Sequence, residues 1–151
     1  MLIIAGTELM EEKTMNNLLK PDVAAFILRV SLGTVLLAHS VYLKLFVFTL
    51  TGTADFFISI GLPGFLAYLV FMIEAVAGIA LILGVRTRLF SVLIIPVLLG
   101  ATWAHGASGW LFTNAGGGWE YPLFLSVMAL VQLVLGDGRY ALLPTTRQTI
   151  Q

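Results

Sequence analysis

Apolar residues in this chain do not recur as a stripe; they run on. Four stretches are almost free of charge, from about Val23 to Phe48, Gly64 to Leu83, Leu89 to Ala107 and Tyr121 to Leu135. A helix on the surface of a soluble domain shows an apolar face and a polar face. Continuous apolar character over about 20 residues instead matches a hydrocarbon core roughly 30 Å thick, at 1.5 Å of rise per residue. The pattern predicts an all-α integral membrane protein, an antiparallel four-helix bundle with both termini cytoplasmic. Breakers mark the ends. Pro21-Asp22 reads as a capping pair before the first span, Gly61-Leu62-Pro63 precedes the second, and Pro122 and Gly136 bracket the fourth. Pro96 inside the third reads as a kink whose freed carbonyl is satisfied by a neighbour. The fourth span is short and is expected to draw its outer end from Gly118-Trp119-Glu120. The linker Thr49 to Pro63 is expected to hold a short interfacial helix around Asp55-Phe56-Phe57-Ile58.

Composition sharpens this. Of 151 residues, 59% are apolar before the 15 glycines are added, and 11% are charged, against about 25% charged in a soluble domain. A globule this small cannot hide so much apolar surface from water. The absence of cysteine excludes disulfides, iron–sulfur clusters and thiolate zinc sites. A formal net charge of +0 with no basic patch excludes a nucleic-acid partner, and no glycine-rich nucleotide motif occurs. The placement of charge gives the orientation. Lys13, Lys20, Arg29, Arg86, Arg88, Arg139 and Arg147 fall on one side and Lys44 on the other, so the first side is cytoplasmic. Residues 1–22 then read as a cytoplasmic tail, 23–143 as the transmembrane domain and 144–151 as a second tail. Met1-Leu2-Ile3-Ile4 lacks the basic flank of a signal peptide. Met15-Asn16-Asn17-Leu18-Leu19-Lys20 has the look of a membrane-protein start, with residues 1–14 coming from an upstream start codon.

Depth sorts the ionisable residues. Glu74 lies near the middle of the second span, where a carboxylate is costly unless protonated or paired. It reads either as a structural acid bonded across the bundle or as a proton or ligand site. His39 lies in the outer half of the first span, Lys44 at its outer end, His105 at the outer end of the third, and Glu120 at the outer start of the fourth. Each histidine alone is as consistent with packing as with catalysis. Gly116 to Gly118 read as a linker or as backbone that admits a flat ligand. Trp103, Trp110, Trp119 and Tyr121 read as an interfacial belt or as stacking partners for that ligand. Arg29 is placed to snorkel to the headgroups, and Arg86-Thr87-Arg88 to anchor the inner face.

The order of these pieces resembles the DoxX family of small four-helix membrane proteins over roughly Phe26 to Leu142. The resemblance is carried by Arg29, Phe57-Ile58-Ser59-Ile60-Gly61-Leu62-Pro63, the run from Glu74-Ala75-Val76-Ala77-Gly78 to Val85-Arg86-Thr87-Arg88, and His105. Gly117-Gly118-Trp119-Glu120-Tyr121-Pro122 and Gly136-Asp137-Gly138-Arg139-Tyr140 complete it. His39-Ser40-Val41-Tyr42-Leu43-Lys44 stands where members often carry glycines before the lysine. The resemblance implies a multi-pass protein of a bacterial or archaeal inner membrane, linked to redox chemistry. One branch of the family is the membrane subunit of thiosulfate:quinone oxidoreductase, and others join partners in oxidative-stress defence.

Two classes of function follow. In a quinone-linked oxidoreductase subunit, His105, Glu120 and Glu74 would be catalytic and His39, Trp119, Tyr121 and Trp103 would line the ligand site, with no metal. Quinone would be the substrate, and electrons would come from a protein partner in a membrane redox complex or from a reduced substrate. In the alternative, the chain is a non-catalytic subunit that anchors or assembles such a complex. A haem b held by His39 and His105 is a third, minor reading. Homo-oligomerisation is compatible with all three.

Overall fold

The computed structural model describes residues 20–145; the expectations for the two tails fall largely outside them. α1 spans Pro21–Leu37 and passes without a break into a π-wound segment, Ala38–Val47. α2 spans Leu50–Ser59, α3 Phe65–Leu83, α4 Thr87–Ala104 and α5 Glu120–Leu135. α2 is the short helix expected around Asp55. It starts where the Thr49 Oγ1 accepts the Gly52 N–H at 3.1 Å, with Thr49 itself at φ 63°. Pro21 is not a cap: Lys20 is the capping residue, in extended backbone, and Pro21 takes the first helical position, where its missing N–H costs nothing.

α1, with its π-wound extension, α3 and α4 are long and apolar enough to cross a membrane; α5 has 16 residues. At 1.5 Å per residue α5 covers about 24 Å, short of a hydrocarbon core roughly 30 Å thick. α4 runs through Pro96 and stops at Ala104, three residues before the expected end, because Gly106–Ser108 tightens into a 3₁₀ turn. α1 packs on α3 and α5, and α4 packs on the same two helices, so the four close into a bundle.

The core is a plug of Leu32, Leu36, Ala77, Leu81, Ile94, Leu98, Leu125 and Ala129. Large apolar side chains such as Phe65, Ile79, Val92 and Val134 point outward and are exposed. That is what a bundle solvated by lipid needs, since acyl chains are as apolar as leucine. α1 and α3 touch backbone to backbone. A Cβ on Gly33 would sit 2.6 Å from the Gly78 carbonyl oxygen, and one on Gly78 would sit 3.0 Å from that of Gly33. Only glycine permits this crossing.

The end of the bundle that carries both described chain ends is closed by the segment after α5. Val85 pairs with Leu143 in a short parallel bridge, the Arg86 N–H donates to the Leu143 carbonyl (2.8 Å), and the Arg139 N–H donates to the Asp22 carbonyl (2.9 Å). Gly138 sits at φ 66° against Ala25, where a Cβ would approach the Asp22 carbonyl oxygen to 2.7 Å.

Candidate functional site

Two polar layers sit on either side of the apolar plug. The layer remote from the chain ends begins with the π-wound run of α1. Each i→i+5 turn takes in about one residue more than an α turn, so the face that a residue presents drifts away from its α-helical position. At Lys44 the drift ends with the ammonium on the Glu74 carboxylate of α3, a buried ion pair with the side chains 17% and 7% exposed. Intramembrane charge is tolerated when paired in this way. Ala77 and Gly78, one turn further along α3, keep α1 close enough for the pair to form.

His39, one turn earlier in α1, is half-buried. Its Nδ1 lies 2.9 Å from the Val35 carbonyl oxygen, and its ring stacks on Tyr121 of α5 with centroids 5.9 Å apart and planes 28° apart. A carbonyl only accepts, so Nδ1 carries the proton and Nε2 is the nitrogen left for a ligand. His105 repeats this at the end of α4, with Nδ1 2.9 Å from the Ala101 carbonyl oxygen. It lies beneath the glycine loop, where a Cβ on Gly117 would come within 3.3 Å of its ring.

The loop between α4 and α5 folds back on itself. The Trp119 N–H donates to Gly109 (3.1 Å) and the Glu120 N–H to Trp110 (3.2 Å). Gly118 is buried at the crossing, with room for no side chain: a Cβ would fall 2.3 Å from the Leu111 carbonyl. Trp110 and Trp119 meet edge to face, centroids 4.4 Å apart. The Glu120 Oε1 accepts the Phe112 N–H at 2.9 Å. Together these build a groove of about 580 Å³, lined by Trp110, Phe112, Glu120, Tyr121, Leu123, Phe124, Val127 and Met128. The groove is open along one side, with the Trp110, Phe112, Tyr121 and Phe124 side chains exposed.

The expected residues therefore divide. Glu120 and Tyr121 share the groove, His39 touches it through Tyr121, and Trp119 supports it through Trp110. Glu74 is engaged by Lys44 instead, His105 by the glycine loop, and Trp103 is exposed on α4. Neither Glu74 nor His105 lines the groove.

The second polar layer is built on Arg29, Asp137 and Gln132. Arg29 does not snorkel: it is fully buried, its guanidinium donating to the carbonyls of Leu81 (2.9 Å), Ile82 (2.6 Å) and Arg139 (2.9 Å) and lying 5.1 Å from the Phe26 ring centroid. Asp137 takes the N-terminus of α4, accepting the Thr87 N–H (3.0 Å), and also binds Thr145. Gln132 donates to the Gly136 carbonyl at 2.7 Å. The signal for Asp137 was present in the sequence, an acid between two glycines directly behind a span.

Comparison with known proteins agrees with this architecture. Residues 24–107 match the family model DoxX. A protein of Bacillus subtilis (strain 168) named "Putative oxidoreductase CatD" is 38% identical over 80 residues, which are 53% of this chain and 58% of that relative. The chain thus matches little more than half the length of that relative. No solved structure matches. The family model covers more than half of the chain, including Arg29, the glycine crossing, Lys44, Glu74 and His105, and the chain belongs to the DoxX family.

Proposed function

We propose that this protein is the membrane subunit of a quinone-linked oxidoreductase and that the quinone ring binds in the groove between the α4–α5 loop and α5. The observation that carries this reading is the groove itself: an aromatic and aliphatic slot with one carboxylate, Glu120, fixed at its edge. A quinone ring is flat and apolar with two carbonyls, and its reduction to the quinol takes up two electrons and two protons. Phe112, Tyr121 and Phe124 offer faces for the ring, and Glu120 relays the two protons, one after the other, from water to the quinone carbonyls. The electrons come from a protein partner or a reduced substrate. The name of the Bacillus subtilis relative supports redox chemistry of this general kind. The cation distribution supports an orientation with both termini cytoplasmic in a bacterial or archaeal inner membrane, and so a groove near the outer surface.

The test is direct binding. Short-chain ubiquinone and menaquinone analogues titrated into nanodisc-embedded protein are expected to quench tryptophan emission saturably, with the signal largely lost in Trp110→Phe. Quenching that rises linearly and is unchanged in Trp110→Phe defeats the groove assignment.

A second reading rests on a separate observation. The Lys44–Glu74 pair and Arg29 are both consumed in joining helices, as in a subunit whose work is to anchor a complex. Saturable quinone binding argues against it; copurification of a redox partner with no quinone binding favours it.

A further inference from the structure

We propose that the groove beside α5 is a binding site for an organic cation, an ammonium or pyridinium carried on an apolar body. Charge complementarity carries the proposal. From Leu89 to Gly136 the sequence has a single charged residue, Glu120, and it stands in the groove wall. Its Oε1 accepts the Phe112 N–H, a backbone donor that brings no charge to offset the carboxylate. Among the described residues the ion pair is Lys44 with Glu74, which leaves Glu120 without a cation of the protein. His39 reaches the groove only through the Tyr121 ring on which it stacks, with its Nδ1 on the Val35 carbonyl, and His105 does not line it.

The rest of the wall has the character such a ligand needs. Trp110, Phe112, Tyr121 and Phe124 line the same groove and are exposed. The negative face of an aromatic ring attracts a cation within about 6 Å of its centroid. Among the described residues, the rings that meet a cation of the protein are Phe26, 5.1 Å from Arg29, and Tyr140, 5.6 Å from Arg139. Both belong to the opposite end of the bundle, so the ring faces of the groove are free for a ligand.

Shape selects the class of cation. Glu120 opens α5 and Met128 lies two turns further along it, so the wall runs for about 12 Å from a carboxylate to the aliphatic side chains of Val127 and Met128. A ligand that matches it carries its charge at one end and apolar surface along the rest. An inorganic cation would find one carboxylate, since no metal-binding group of acids and histidines occurs among the described residues. The site does not rest on the quinone reading, although the two ligands would exclude each other.

The test uses the full chain in an uncharged maltoside micelle and N-butylpyridinium, a cation that quenches tryptophan emission. Quenching is expected to saturate. The affinity should fall about tenfold in Glu120→Gln, which keeps an acceptor for Phe112, and several-fold in Phe124→Leu, which keeps the charge. Butylbenzene, of the same shape without the charge, should not displace the probe. Linear quenching, an affinity unchanged in both variants, or displacement by butylbenzene overturns the proposal. With the site upheld, displacement by a choline phospholipid identifies a lipid headgroup as the source of the cation, and retention of the probe identifies a free one. Quinone titrated in parallel separates the two readings of the groove: quinone bound without the cation overturns this site alone, and the cation bound without quinone overturns the other.

Discussion

The Lys44 ammonium, on the π-wound end of α1, rests on the Glu74 carboxylate of α3, thirty residues away and inside the bundle. A buried pair is stabilising only while both members are present; removing one leaves the other as an uncompensated charge. Glu74→Gln should therefore cost roughly 3–5 kcal/mol, although glutamine keeps a donor and an acceptor. Lys44→Met should be milder, because an orphaned carboxyl can take up a proton. The double variant Lys44→Met/Glu74→Gln should recover most of the loss. Unfolding of all four proteins in one detergent measures this, and strictly additive losses would mean that the pair contributes nothing.

The glycine crossing makes a contrasting pair of predictions. Gly33→Ala drives a methyl against the Gly78 carbonyl and should prise α1 from α3, with loss of monodisperse protein on size exclusion. Gly100→Ala meets nothing within 4 Å and should behave as wild type. Equal tolerance at the two positions would refute the close crossing.

Asp137→Ala removes the acceptor for the first amide of α4, together with two bonds to Thr145. A cost of about 1–2 kcal/mol is expected, as for a lost helix cap. Amide exchange should quicken at Thr87 while the middle of α4 stays protected. Exchange that is unaltered at Thr87 would show that the cap is not stabilising.

Glu120→Gln keeps an acceptor for the Phe112 N–H and so should leave the groove in shape. On the reading proposed for the groove, quinone affinity should change little, whereas quinone-dependent turnover should fall by about 10²–10⁴, the usual worth of a positioned acid–base group. A loss of affinity equal to the loss of turnover would reassign Glu120 to binding.

Orientation can be read without background labelling, because the chain contains no cysteine. Thr51→Cys, on α2, should react with an impermeant maleimide from the periplasmic side. Leu142→Cys, exposed on the closing segment, should react only after the inner face is opened. The reverse pattern would invert the protein.

Helix positions were legible because a hydrocarbon slab imposes length and polarity on a span, and both are written in composition. The ends agree to within three residues. Depth was legible too, so Glu74 stood out. Its partner did not, because Lys44 lies on the π-wound segment, whose facing no apolar pattern encodes. Arg29 was misread for the opposite reason: its distance from the span's end suggested an escape to the headgroups, whereas the segment after α5 folds over it and brings a carbonyl. The grouping of His105 and Glu120 with Glu74 below them rested on depth alone. Depth is one coordinate; the angle around each helix axis decides which residues meet.

The three carbonyls that hold Arg29 lie 52, 53 and 110 residues further along the chain, and this sets an order on biogenesis. When α1 leaves the ribosome none of the three carbonyls that hold its guanidinium has yet been made. Synthesis of α3 supplies two of them, Leu81 and Ile82. The third arrives only with Arg139, after α5, when the same short segment also caps α4 through Asp137. The last residues of the domain to be made thus complete the burial of a charge near its beginning, and a chain stopped before them leaves that guanidinium one carbonyl short.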